Sequence, residues 1–111
     1  MEARVSRALI ARSRLSNRRA HEATAFSHDG LHYVGGVGRF DDGSIAELYI
    51  SAAKAGTAVE AWARDSAIVA SLALQSGVDI DVLRRALSRD DHGAPATPLA
   101  ALLDLLAEGN A

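Results

Sequence analysis

These 111 residues predict an α+β fold, a three-stranded antiparallel β-meander followed by two or three α-helices, with an alanine-rich central helix packed on the sheet. Three observations predict it. Side-chain character alternates with period two in the twenties, Asp-Gly pairs punctuate the segment that follows, and from Thr57 onward the apolar spacing becomes helical.

Thr24, Phe26 and His28 alternate with Ala23, Ala25 and Ser27, which reads as a first strand. Asp29-Gly30 then supplies a hairpin turn, because glycine accepts positive φ without strain. Tyr33, Val34 and Val37 carry the second strand, which Gly35, Gly36 and Gly38 weaken or bulge. A second turn at Asp42-Gly43 leads to a third strand over Ile45 to Ile50, with Leu48 and Ile50 on one side. Thr57 and Glu60 have capping-box spacing, so the central helix is expected to start there and to end at Gly77. Trp62, Ser66, Val69 and Leu72 lie close to one face of it, widened by Ala61 and Ile68, and so broad an apolar coverage is expected to bury against the sheet and a partner. Asp79 suits the cap of a second helix carrying Ile80, Leu83 and Leu87. Thr97-Pro98 suits the start of a leucine-rich third that runs to about Ala107.

Composition bounds the chemistry. The chain has no cysteine, which excludes disulfides, thiolate metal sites, iron–sulfur clusters and a thiol nucleophile from it. Many of the apolar residues are alanines that bury little area each, so a second copy supplying more core is expected, and with it a homodimer. The stretch from Val5 to Ala11 is too short, and too interrupted by Ser6 and Arg7, for a signal peptide or membrane span, so a cytoplasmic protein without membrane contact is expected.

The net charge of −2 conceals an asymmetry. Residues 1–19 hold six arginines against Glu2, giving +5, and the remaining six basic and thirteen acidic residues give −7. We therefore divide the chain into a basic arm over 1–19, helical or flexible, and a single domain over 20–111. Nucleic-acid binding through the arm is the alternative function.

Several segments together carry a family resemblance. Leu15-Ser16-Asn17-Arg18-Arg19 with Glu22 forms a connector ending in paired arginines, followed by Gly38-Arg39-Phe40 and the Asp42-Gly43 turn. Ala46-Glu47-Leu48-Tyr49-Ile50, Lys54-Ala55-Gly56-Thr57 and Ser71-Leu72-Ala73-Leu74-Gln75-Ser76-Gly77-Val78 follow in order. This series, over roughly residues 14 to 105, resembles the TSCPD domain attached to extended cobalamin-dependent (class II) ribonucleotide reductases and also found as short proteins. The resemblance implies a non-catalytic binding or assembly module that contacts a nucleotide or a reductase-related protein. The segment that names the family is replaced here by Ala94-Pro95-Ala96-Thr97-Pro98, without its cysteine. Ribonucleotide reduction needs a thiyl radical and a reducing cysteine pair, so this chain alone is not expected to be an enzyme of that kind, and no cofactor is expected.

Among polar residues, Arg39, Lys54 and Gly56 are the candidate ligand or partner contacts, with Arg18 and Arg19 on the arm. Lys54 is the sole lysine and precedes a glycine and a helix N-terminus, an arrangement suited to phosphate but lacking the P-loop pattern. Glu47, Arg64 and Asp65 are expected in structural ion pairs, Arg64-Asp65 reaching Arg39 or Glu47. His28 and His32 flank the first turn without helical pairing or an acidic cluster, so no metal site is expected. Ala73, Gly77 and Leu83 have helix-turn-helix spacing, with Arg84 and Arg85 nearby, but Asp79 and Asp81 would place carboxylates against DNA.

Overall fold

A computed structural model describes residues 21–54 and 56–109. The arm with Arg18 and Arg19, and the helix expected within it, lie outside the described residues. Strands β1 (His21–His28), β2 (Leu31–Arg39) and β3 (Ile45–Ala52) form an antiparallel sheet in the order β1-β2-β3. Helices α1 (Ala58–Gln75), α2 (Ile80–Ala86) and α3 (Pro98–Gly109) follow, giving the expected α+β architecture.

Local chemistry sets the joints. Asp29 (φ 53°) and Gly30 (φ 78°) both adopt left-handed conformations, as the tight β1–β2 hairpin demands. A bulge falls between Gly38 and Arg39, where β2 meets β3. The Thr57 hydroxyl accepts from the Glu60 N–H at 3.1 Å and caps α1, but the reciprocal half of the capping box is absent. The Glu60 carboxylate instead takes Arg64 Nη1 at 3.0 and 3.1 Å. At the other end, Gly77 N–H donates to Leu74 and Val78 N–H to Ala73, the two bonds of a Schellman stop. Asp79 caps α2 by accepting from Asp81 N–H, and Thr97 caps α3 by accepting from Ala100 N–H.

The inward face of the sheet presents Phe26, Tyr33, Val37, Leu48 and Ile50, and α1 and α3 close over it. From α3, Leu102 is completely buried and fills the space left by the missing side chain of Gly35. A Cβ there would lie 2.6 Å from its Cδ1 and 3.2 Å from the Phe26 ring.

β3 is an edge strand, and α1 closes that edge. The Ser71 hydroxyl accepts from Leu48 N–H at 2.8 Å and lies within donating distance of Leu48 O at 3.1 Å and Ala67 O at 2.8 Å. Gln75 Nε2 donates to Ala46 O at 3.1 Å. Side chains this short reach a strand backbone only if the helix comes close, so the contact face of α1 must be small. It is built from Ala63, Ala67, Ala70, Ser71 and Leu74, all buried.

This overturns the expected burial of α1. Trp62 is 71% exposed, Val69 66%, Ile68 50% and Leu72 42%. The bulky stripe faces outward because its side chains would hold the helix too far from β3 for Ser71 and Gln75 to bond. The outcome of Ser71→Ala is set by the buried Leu48 N–H it orphans: a loss of about 1–3 kcal/mol in urea unfolding. Gly35→Ala, which overpacks Leu102 and Phe26, is expected to cost a similar ~1–3 kcal/mol in the same measurement.

Candidate functional site

The hairpin end of the sheet carries a well-formed concavity among the described residues. A cleft of about 520 Å³ opens between the β1–β2 turn, the first half of α1 and the segment entering α3. Leu31, Trp62, Leu87, Pro98 and Leu99 supply most of its apolar wall, and His28, Asp29, Tyr33, Ser66 and Thr97 are its polar members. No lysine or arginine lines it. Its size falls within the range of small-molecule sites.

Each wall has a local cause. Asp29 stands at the lip because the hairpin forces it into the turn, and its left-handed backbone is one that Asp and Asn adopt most readily among non-glycine residues. Tyr33, two residues into β2, is only 3% exposed and stacks on Phe26 with ring centroids 5.4 Å apart. No described residue hydrogen-bonds its hydroxyl. Burial, with a further contribution from the negative charge of Asp29, raises the Tyr33 pKa above the usual phenol value. Trp62 stands at the mouth with most of its ring in solvent.

The third wall is held by an ion pair. Arg89 grips Asp104 of α3 with two parallel bonds, Nη1 to Oδ2 at 2.7 Å and Nη2 to Oδ1 at 2.6 Å, and Nη1 also donates to Gly93 O. Asp90 Oδ1 accepts from the N–H groups of His92 and Ala94, tightening the turn that returns the chain to Pro98. Arg84 approaches Asp104 at 3.6 Å from α2. The Arg89 hydrogen bonds lead in holding the Asp104 carboxyl below its ordinary pKa.

The expected contact residues do not converge. Arg39 ends β2, where Nε donates to Glu22 Oε1 at 2.6 Å and Nη1 to Gly43 O at 2.9 Å, a structural role. Lys54 follows the opposite end of β3, roughly 25 Å away at the usual rise per residue. It lines a smaller hollow of about 250 Å³, beside the cleft and sharing Leu31 and Val59 with it. Gly56 (φ 82°) makes the turn into α1. Arg64 pairs with Glu60, and not with Arg39, Glu47 or Asp65. Asp65 is exposed on the outward face of α1, and Glu47 is buried beside Gly38, whose missing Cβ makes room for it. His32 Nδ1 bonds the Ser27 hydroxyl at 2.9 Å, whereas His28 lines the cleft. No group of three or more metal-ligating side chains occurs among the described residues. No helix among them is long and apolar enough to cross a membrane.

Sequence reasoning misses the cleft because its walls come from segments far apart in the chain, and because the bulk of Trp62 favours placing it in the interior. The signal available was the second stripe of α1, Ala63, Ala67, Ala70 and Leu74, whose spacing is just as helical as that of the bulky residues. No family model, curated protein or solved structure matches the chain.

Asp104→Asn is expected to lower the melting temperature at pH 7 by roughly 5 °C. Because the folded carboxyl titrates below its unfolded value of about 3.9, that penalty is complete above this pH. It should shrink as the pH falls through the lower folded-state value, a convergence read from melting curves of the two proteins between pH 7 and pH 2.

Proposed function

We propose that this chain is a non-catalytic assembly module that works as a homodimer joined through the outward face of α1. The observation that carries this reading is the exposure of Trp62, Ile68, Val69 and Leu72 along one side of a single helix. Trp62, Asp65, Val69, Leu72 and Ser76 fall at alternating three- and four-residue intervals, the seam spacing of paired helices. A two-fold axis near the middle of the stripe places Trp62 of one copy beside Leu72 of the other, so the surface is self-complementary.

The area is adequate. The four bulky side chains expose on the order of 450 Å², and the flanking Val59, Ala61 and Asp65 bring the face toward the roughly 800 Å² per partner of a standard interface. A monomer rarely leaves so continuous an apolar stripe in water. The inner face of α1 carries one large apolar side chain, Leu74, beside Ala63, Ala67 and Ala70, so the helix contributes little core of its own and gains most from burying the outer face.

The similarity of residues 14–105 to the TSCPD domain supports the same reading and connects it to ribonucleotide reductase assemblies, with a nucleotide or a reductase-related protein as the further partner. Lys54, beside the small hollow at the start of α1, is the contact residue best placed for an anionic group there. Arg39 is already engaged by Glu22.

Sedimentation equilibrium of the full chain tests the dimer. The unaltered protein is expected to sediment as a dimer at micromolar concentration. The double variant Val69→Glu, Leu72→Glu is expected to be monomeric with unchanged helical circular dichroism, since neither side chain belongs to the core. A monomer at several hundred micromolar for the unaltered chain defeats the reading.

A further inference from the structure

The cleft at the hairpin end contains groups that neither the fold nor the dimer uses. Tyr33 is 3% exposed as a residue, and its side chain lines the cleft. Its hydroxyl bonds no described residue and is not among the enclosed, unpartnered polar atoms, so it opens onto the cleft. A Phe at this position would give the same stacking on Phe26, so packing does not account for the oxygen.

Charge points to the class of ligand. Asp29 stands at the lip with no ion pair to a described residue, and no lysine or arginine lines the cleft to neutralise it. The mouth is formed by Trp62, an exposed ring whose π face attracts cations and stacks on flat apolar groups. Leu31, Leu87, Pro98 and Leu99 surround the remainder with apolar surface. About 520 Å³ is ample for one aromatic ring with a short side arm.

We propose that this cleft is a binding site for a small aromatic amine, the ring lodged between Trp62 and the leucine wall and the protonated amine held by the Asp29 carboxylate and the Tyr33 hydroxyl. Asp29 supplies charge, Tyr33 supplies a directional polar contact at the buried end, and Trp62 supplies stacking at the open end. The site is built within one copy and shares Trp62 with the proposed dimer stripe, while Asp29, Tyr33 and the leucine wall lie outside it.

Trp62 is the only tryptophan, so its fluorescence reports directly on the cleft. The full chain is titrated with 2-phenylethylamine, 2-phenylethanol and phenylacetate, which share a ring and differ in the charge of the arm. Saturable change is expected with the amine, weaker binding with the alcohol, and none with the acid. Asp29→Asn keeps the left-handed turn and is expected to weaken the amine about tenfold. Tyr33→Phe keeps the stacking and is expected to weaken both amine and alcohol by about threefold to tenfold. The Val69→Glu, Leu72→Glu variant is expected to retain amine binding, which separates this site from self-association. Equal binding of phenylacetate, an amine affinity unchanged in Asp29→Asn, or no response to the amine at millimolar concentration overturns the proposal.

Discussion

An edge strand leaves alternate backbone N–H and C=O groups pointing away from the sheet, and in this molecule the open edge of β3 is closed by two side chains of α1. Ser71 accepts from the Leu48 N–H and lies within donating distance of its carbonyl, and Gln75 donates to the carbonyl of Ala46 two residues earlier. Ser71 and Gln75 are one helical turn apart, and Ala46 and Leu48 are one strand repeat apart, so helix and strand run in register. The bonds are short-range and buried, which makes them demanding about distance. Everything on that side of α1 must be small enough to let the helix approach.

That constraint determines what the rest of the helix does. With Ala63, Ala67 and Ala70 against the sheet, the bulky residues of α1 have only the outer side left to occupy. The exposed stripe is therefore a consequence of edge closure, and its place on the surface makes it available to a second copy. Helix α3 completes the core by a comparable fit, in which Gly35 gives up its side chain so that Leu102 can enter between Phe26 and the strand. Both contacts exchange apolar bulk for close approach. The core they produce is thin, as its alanine content requires.

The cleft arises where these packings meet. Helix α1 starts beside the β1–β2 turn, and α3 is brought back to the same end by the Asp90 turn and the Arg89–Asp104 pair. The three segments touch below the cleft, through Tyr33, Ala63 and Leu99, and separate above it, where Asp29 and Trp62 stand at the rim. At this end Asp29 lines the cleft and Lys54 the neighbouring hollow. The arginines of the described residues are engaged elsewhere: Arg39 by Glu22, Arg64 by Glu60, Arg84 by Asp81 and Asp104, Arg89 by Asp104, and Arg85 by the Asp81 carbonyl.

Sequence by itself determined the order of elements and nearly all of their ends. Asp29-Gly30, Thr57, Gly77, Asp79 and Thr97-Pro98 act through their own backbone conformations and neighbouring N–H groups, and such local chemistry can be read without knowing what packs where. Only the tertiary structure decided which face of α1 is buried, whom Glu60 and Arg39 bond, and that Tyr33, Asp29 and Trp62 share a cleft. Two stripes of α1 have helical periodicity, and hydrophobicity favours the bulkier one. The choice between them depends on the distance to β3, a quantity that exists only when Ser71 and Leu48, 23 residues apart, are brought together. Likewise, Arg39 and Lys54 look adjacent in function along the chain, but an antiparallel sheet sends them to opposite ends.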